Sequence, residues 1–183
     1  MAILTVASLK KRFGGLVAVN GVDYSFPSGE ISAVIGPNGA GKTTFFNLIT
    51  GIYVPDGGRI ELDGKSLVRV KPHVIAKLGI ARTFQNIRLF GSMSVLENVM
   101  VGMHIHLKSG TPGTILGWGK VRHEEQEARR KAYRLLQYVG LERHFNEEAS
   151  SLPYGAQRKL EVARALAVQP KVLLLDEPAA GMN

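Results

Sequence analysis

The spacing of apolar and polar positions changes several times along the 183 residues, and each change predicts a different element. Residues 3–6, 22–26 and 58–62 are short β-prone runs bounded by Gly, Pro, Asp or Ser. They predict antiparallel strands and turns near the N-terminus. Glu30–Ile35 reads as an apolar strand running directly into a glycine-rich turn, and Lys42–Thr50 continues as a helix that ends near Gly51. Apolar positions return at helical spacing over Val95–Met103 and again from about Glu124 to Val139. On the second of these helices Ala128, Ala132, Leu135, Leu136 and Val139 mark one face. Residues 104–123 hold four glycines and one proline, which predicts a long loop or insertion in which Trp118 either anchors the loop or touches a partner, the anchor being favoured. A further helix, about Ala156–Ala167, leads through Gln169-Pro170 into Val172–Leu175, whose length and composition predict a buried parallel strand. Strand, helix, helical region, helix, strand is an α/β plan, and its ligand is expected at the C-terminal ends of the strands.

Composition narrows this plan without redirecting it. A chain that is 45% hydrophobic and 21% charged is suited to one compact domain with a sizeable core. With no cysteine it has neither a disulfide framework nor a thiolate metal site. The formal charge of +8 comes from scattered Lys and Arg, with short clusters only at Lys10-Lys11-Arg12 and Arg129-Arg130-Lys131. That pattern favours a solvated basic surface over a dedicated polyanion site, and no nucleic-acid partner is expected. The opening residues lack the order of a secretory signal, and no run approaches the ~18 apolar residues of a membrane span, so the chain is expected to be soluble. The five histidines show no metal-binding arrangement.

The strongest chemical signal is Gly36-Pro37-Asn38-Gly39-Ala40-Gly41-Lys42-Thr43-Thr44, a P-loop pattern in the required strand-to-helix context. Glycines let the backbone curl so that successive N–H groups face phosphate oxygens, and the helix after Gly41 adds its positive N-terminal end. Lys42 brings a full charge to the β and γ phosphates, and the Thr43 hydroxyl is a ligand for Mg2+. The second signal is Val172-Leu173-Leu174-Leu175-Asp176-Glu177, an apolar strand that delivers two carboxylates to its C-terminal end. Asp176 is assigned to Mg2+, directly or through water, and Glu177 to the general base that polarises the attacking water.

With both signals in place, the stretch Leu152-Pro153-Tyr154-Gly155-Ala156-Gln157-Arg158 resembles the signature motif of ABC ATPases. Gly155 stands at the motif's second glycine, Tyr154 replaces the first, Pro153 replaces the serine and Ala156 stands at the usual glutamine. The run RKLEVARALAVQPKVLLLDEP that follows is very similar to the family's passage from signature to Walker B. The resemblance extends over nearly all of the chain. It implies a P-loop NTPase with a RecA-like parallel-sheet core, an N-terminal antiparallel β subdomain and an inserted α-helical subdomain, the core being incomplete at the C-terminus. The subregions it implies are 1–85, 86–155 and 156–183.

The same resemblance implies that Gln85, in ARTFQN, is the Q-loop glutamine approaching Mg2+ and the attacking water, and that Phe13 stacks on adenine. Residues 179–183 resemble the D-loop. The implied cofactors are ATP and Mg2+. The implied partners are a second ABC ATPase closing head to tail as a homo- or heterodimer, with Tyr154 and Gly155 facing the partner's nucleotide, integral membrane permease subunits, and indirectly a substrate-binding protein. The implied location is peripheral, at the cytoplasmic face of the inner membrane. Because Pro153 offers neither hydroxyl nor N–H, that contact is expected to lean on the Gly155 amide and the following helix. The wording RFGGLVAVNGV, GPNGAGKTTFFNLITG, ARTFQNIRLF and LPYGAQRKLEVARAL is most similar to the branched-chain amino-acid importers. A lipopolysaccharide-export ATPase shares the P-loop phrasing, but TFQN and YGAQR argue against it. A non-transport ABC ATPase acting on nucleic acid or ribosomes calls for tandem cassettes, zinc-binding insertions or an organised basic stretch, and none is visible. A bare nucleotide-binding regulator has no need of Glu177.

Overall fold

The computed structural model describes residues 2–106 and 118–177. They fall into two compact units, Met1–Ile80 and Ala81–Asn183.

In the first unit, β1 (Ala2–Phe13) pairs antiparallel with both β2 (Leu16–Pro27) and β3 (Gly57–Leu62), and β3 pairs with the short β4 (Lys65–Ser66). The sheet order is β2-β1-β3-β4. Leu4 and Val6 enter the core at the two-residue period of a strand, and Leu9 joins them out of phase. A bulge resolves the mismatch. The pairing with β2 shifts register between Val6 and Leu9, Ser8 sits at a positive φ of 48°, and its N–H donates to Asp23 Oδ1 at 2.7 Å. One extra residue reverses which face the strand presents, so Leu9 turns inward. Helices α1 (Lys42–Ile49) and α2 (Pro72–Leu78) contribute Leu48, Ile49 and Ile75 to the same buried set. Pro72 at the first turn of α2 costs no helical hydrogen bond, because that N–H would have no intrahelical acceptor.

The strands expected at 3–6, 22–26 and 58–62 all exist and are longer at one or both ends. Glu30–Ile35 departs from expectation: it is irregular, with Ile31 and Ile35 102% and 89% exposed. Apolar composition nominates a strand, but a strand is held by hydrogen bonds to a neighbour. Among the described residues this segment joins no ladder.

The second unit opens at Ala81, within β5 (Ile80–Arg82), whose sheet neighbour is β6 (Val172–Leu174). The Thr83 N–H extends the contact by donating to the Leu174 carbonyl at 3.0 Å. Between them lie α3 (Val95–Met103), a 3-10 turn at His104–His106, α4 (Trp118–Val139) and α5 (Tyr154–Ala167). A reciprocal cap starts α3. Ser94 Oγ accepts the Glu97 N–H at 3.2 Å, while Glu97 Oε2 accepts the Ser94 N–H at 2.8 Å. The three helices share a core of Val95, Leu96 and Val99 from α3, Ala132 and Leu136 from α4, and Leu160 and Ala163 from α5. Gly102 lets α3 lie directly on α5, since a Cβ there would collide with the Arg164 carbonyl oxygen.

Helix α3 has the expected bounds. Helix α4 begins at Trp118, earlier than expected, so residues 118–123 of the anticipated loop are helical and Gly119 is absorbed into the first turn. Residues 107–117 of that loop, the Trp118 side chain and the D-loop-like residues 179–183 lie outside the described residues. Helix α5 begins at Tyr154, two residues early, because Pro153 takes the N-cap position. The expected strand at 172–175 runs over 172–174, with Leu174 buried and Leu175 exposed.

Candidate active site

In the first unit, Gly36–Ala40 form an exposed loop that delivers the chain to α1. Gly41 is the N-cap, at φ 86°, and a side chain there would strike the Ala18 carbonyl oxygen of β2. Glycine is therefore required twice, by conformation and by the close approach of backbone. No side chain caps α1 and no acidic residue occupies its first turn, so its leading N–H groups and the positive end of its dipole are available to an anion. The Lys42 ammonium folds back onto the loop, donating to the Gly36 and Pro37 carbonyls at 2.6 and 2.9 Å. Both acceptors are neutral, so a phosphate would offer this ammonium a stronger, charge-assisted partner. Thr43 and Thr44 follow in the first turn, with Thr43 exposed. Beside the loop lies a cavity of about 330 Å³ whose lining includes Val19, Phe26, Val34, Gly41, Lys42 and Phe45. The residues present fit a polyphosphate.

Phe13, the last residue of β1, is 41% exposed. The Tyr53 ring meets it edge-on with centroids 5.2 Å apart, and Lys11 Nζ lies 5.5 Å from its centroid. Lys11 is fixed in turn by the Val54 carbonyl at 2.8 Å and by Asp56 Oδ1 at 3.0 Å. The Arg12 backbone N–H, and then the Lys11 ammonium, hold the Asp56 carboxyl below the usual carboxylate range. Phe13 is thus a braced ring with substantial exposed surface, a fit for stacking on a flat base.

In the second unit, Asp176 and Glu177 follow β6. Asp176 is buried: its Oδ2 accepts from Arg82 Nη2 at 2.9 Å, and its N–H donates to Thr83 Oγ1 at 3.3 Å. Glu177 is exposed and sits at φ 49°. Gln85 reaches it, donating from Nε2 to Glu177 Oε2 at 3.3 Å. The residues assigned to base and Q-loop are therefore in contact across 92 positions of sequence. Asp176, Gln85 and the Thr43 hydroxyl are oxygen donors of the hard type that Mg2+ accepts. Among the described residues, no three His, Cys, Asp or Glu side chains gather into a metal cluster.

The signature-like turn ends on Pro153, and Tyr154, half exposed, opens α5. Arg158 lies one turn later, its guanidinium carbon 5.5 Å from the Tyr154 ring centroid. A Cβ at Gly155 would meet nothing within 4 Å. Three further residues escaped the sequence reading: Arg82 on Asp176, and the buried pair Arg158 and Glu161, which grips the backbone of Phe84 and Gln85. Only the helical spacing of 158 and 161 was legible in advance; their target is more than 70 residues away.

An uncapped, glycine-turned helix N-terminus carrying Lys42, together with a strand-end Asp-Glu pair, defines a P-loop nucleoside triphosphatase. The ABC transporter family matches residues 19–180, and the chain belongs to it. The high-affinity branched-chain amino acid transport ATP-binding protein LivG of Escherichia coli is 48% identical over 181 residues, 99% of this chain and 71% of that protein. The ADP conformation of MJ1267, an ATP-binding cassette of an ABC transporter, superposes with a TM-score of 0.83 at 34% identity, covering 100% of this chain and 71% of that one. The dimeric structure of MJ0796, a bacterial ABC transporter cassette, gives 0.82 at 25% identity, covering 98% and 76%. The protein is an ABC-type ATPase. No described helix is long and apolar enough to cross a membrane.

Proposed function

We propose that this chain binds and hydrolyses ATP to drive import of branched-chain amino acids through a membrane permease. The observation that carries the ATP part is the uncapped start of α1, with the Lys42 ammonium turned onto the loop in front of it. The cargo is supported by the 48% identity to LivG. It is read from kinship alone.

The proposed roles combine the family resemblance with the contacts described above. Backbone N–H groups of Gly36, Asn38, Gly39, Ala40 and Gly41 wrap the phosphates, with Pro37 shaping the turn, and Lys42 exchanges its two carbonyl contacts for the β and γ oxygens. Thr43, Asp176 and Gln85 would hold Mg2+, which would supply charge neutralisation to the transferred phosphoryl group. Glu177 accepts the proton of the attacking water, and Gln85, donating to its carboxylate, orients it. Thr44 supports the phosphate end of the site, and Phe13 carries the adenine. A second ATPase places its signature turn, the equivalent of Tyr154 and Gly155, on this nucleotide, and ATP holds the pair closed. Residues 1–85 and 156–183 then serve as catalytic core and 86–155 as the helical region that grips the permease, at the cytoplasmic face of the membrane, where a substrate-binding protein delivers cargo from the far side.

The test is ATP-dependent uptake of labelled leucine by vesicles containing the transporter assembled on this ATPase, with Mg-ATP affinity measured in parallel. Lys42→Ala is expected to abolish uptake and weaken Mg-ATP binding about 10- to 100-fold, the loss of charge-assisted contacts to phosphate. Wild-type affinity in Lys42→Ala would sink the phosphate site. ATP turnover without uptake of any branched-chain amino acid would overturn the cargo and leave the ATPase standing.

A further inference from the structure

Helix α5 reaches back to the segment that carries Gln85. Arg158 Nη1 donates to the Phe84 carbonyl at 2.5 Å, and Nη2 donates to the Gln85 carbonyl. Glu161, one turn on, accepts the Phe84 N–H at Oε1 at 3.2 Å and receives Arg158 Nη1 on its other oxygen at 3.3 Å. Three backbone polar groups of the 84–85 segment, the Phe84 N–H and the Phe84 and Gln85 carbonyls, are thus held by one charged pair, itself buried to 5% and 1% side-chain exposure.

Two buried charges are a costly way to hold a loop for stability alone. Removing both from water carries a penalty that their attraction at best roughly offsets, and packed apolar residues would serve folding as well. What the pair adds is direction. A guanidinium is a rigid two-pronged donor, so it fixes the two carbonyls relative to each other as well as in distance. Fixing them sets where the Gln85 backbone aims its side chain, and that side chain meets Glu177 Oε2 at 3.3 Å. Gln85 is exposed, so packing does little to orient it, and the backbone clamp is the restraint that remains. The Phe84 ring adds a second hold, with the Arg82 and Arg88 guanidinium carbons 5.2 and 4.7 Å from its centroid.

We infer that Arg158 and Glu161 are positioning residues for ATP hydrolysis: they clamp the Phe84–Gln85 backbone so that Gln85 holds the Glu177 carboxylate in its working orientation. The inference rests on the proposed role of Glu177 as base. It also ties the signature helix to the water-activating groups, because Arg158 lies one turn from Gly155 and against the Tyr154 ring.

The experiment measures kcat and KM for ATP in the assembled transporter. Arg158→Ala is expected to lower kcat roughly 10- to 100-fold, the scale of a misplaced catalytic group, with KM within about twofold of wild type. Adding Gln85→Ala to Arg158→Ala is expected to cost less than Gln85→Ala costs in wild type, since the Gln85–Glu177 contact is already lost. Arg158→Lys, with one prong in place of two, is expected to recover part of the rate. Wild-type kcat in Arg158→Ala, or a full additional loss on adding Gln85→Ala, would overturn the clamp. If Arg158→Ala does not fold, Glu161→Gln decides. It keeps shape and an acceptor for the Phe84 N–H but removes the charge, and several-fold lower kcat at unchanged KM supports the clamp, whereas wild-type kcat overturns it. Glu177→Gln run alongside separates the two ideas. Turnover persisting there removes the base assignment, while the clamp is still read directly from hydrogen exchange at the Phe84 amide, slow in wild type and fast in Arg158→Ala or Glu161→Gln if it exists.

Discussion

Two glycines in the candidate site have opposite surroundings, and the contrast yields a prediction at the residue scale. Gly41 combines a φ of 86° with the Ala18 carbonyl where a Cβ would go, whereas a Cβ at Gly155 would meet nothing within 4 Å. Gly41→Ala is therefore expected to cost about 1–3 kcal/mol of stability, for left-handed backbone plus the collision, and to weaken Mg-ATP binding with it. Gly155→Ala should leave stability within about 0.5 kcal/mol, as for a substitution free of such features. Any loss of turnover in Gly155→Ala then reports a contact with another molecule, as expected of a signature residue facing a partner's nucleotide. Thermal melts and nucleotide titrations of the two variants check both halves. Equal destabilisation would contradict the local geometry. Gly36 to Thr44 were legible in the sequence because a phosphate-binding turn is local: its glycines, lysine and threonines adjoin one another. Arg158 and Glu161 were not, because their meaning depends on a segment 73 to 77 residues earlier.

At the scale of elements, the Ser94–Glu97 cap carries a pH dependence whose sign is fixed. The Ser94 backbone N–H, then its hydroxyl, hold the Glu97 carboxyl below its usual range. A carboxyl depressed in the folded state favours folding at pH above its unfolded value, about 4.3, and that contribution is lost as pH falls through the folded value. The melting temperature of wild type is thus expected to exceed that of Glu97→Gln at neutral pH, with the gap narrowing below about pH 4. A gap constant with pH would mean that the charge on Glu97 contributes nothing to the cap. Helices α3 and α5 were readable because their apolar positions repeat over 9 and 14 residues. Strand β5 has three residues and α2 seven, too short for a period to register against chance. Glu30–Ile35 fails for the converse reason. It has a strand's composition, but pairing is a property of two segments, and no sequence window contains its neighbour.

For the whole molecule the question is what ATP does to the association of two such chains. The exposed Tyr154 and the open space at Gly155 leave the signature turn facing outward from its own unit, so a nucleotide held elsewhere can complete its contacts. ATP then drives closure only to the extent that it binds the closed pair more tightly than the open one; equal affinity for both would shift nothing. In the proposed cycle hydrolysis drains the closed state, and Glu177, its proposed base, is the place to stop it. Glu177→Gln keeps the side chain's shape and an oxygen for Gln85 Nε2 while removing the basic charge. Turnover is expected to fall about 100-fold or more, the usual contribution of a general base, with Mg-ATP affinity preserved. Light scattering should then find dimers that accumulate with ATP and disperse with ADP. If the variant dimerises at saturating ATP neither with itself nor with a co-purified partner ATPase, the γ-phosphate is not what joins the subunits, and the outward signature turn must answer to the permease instead.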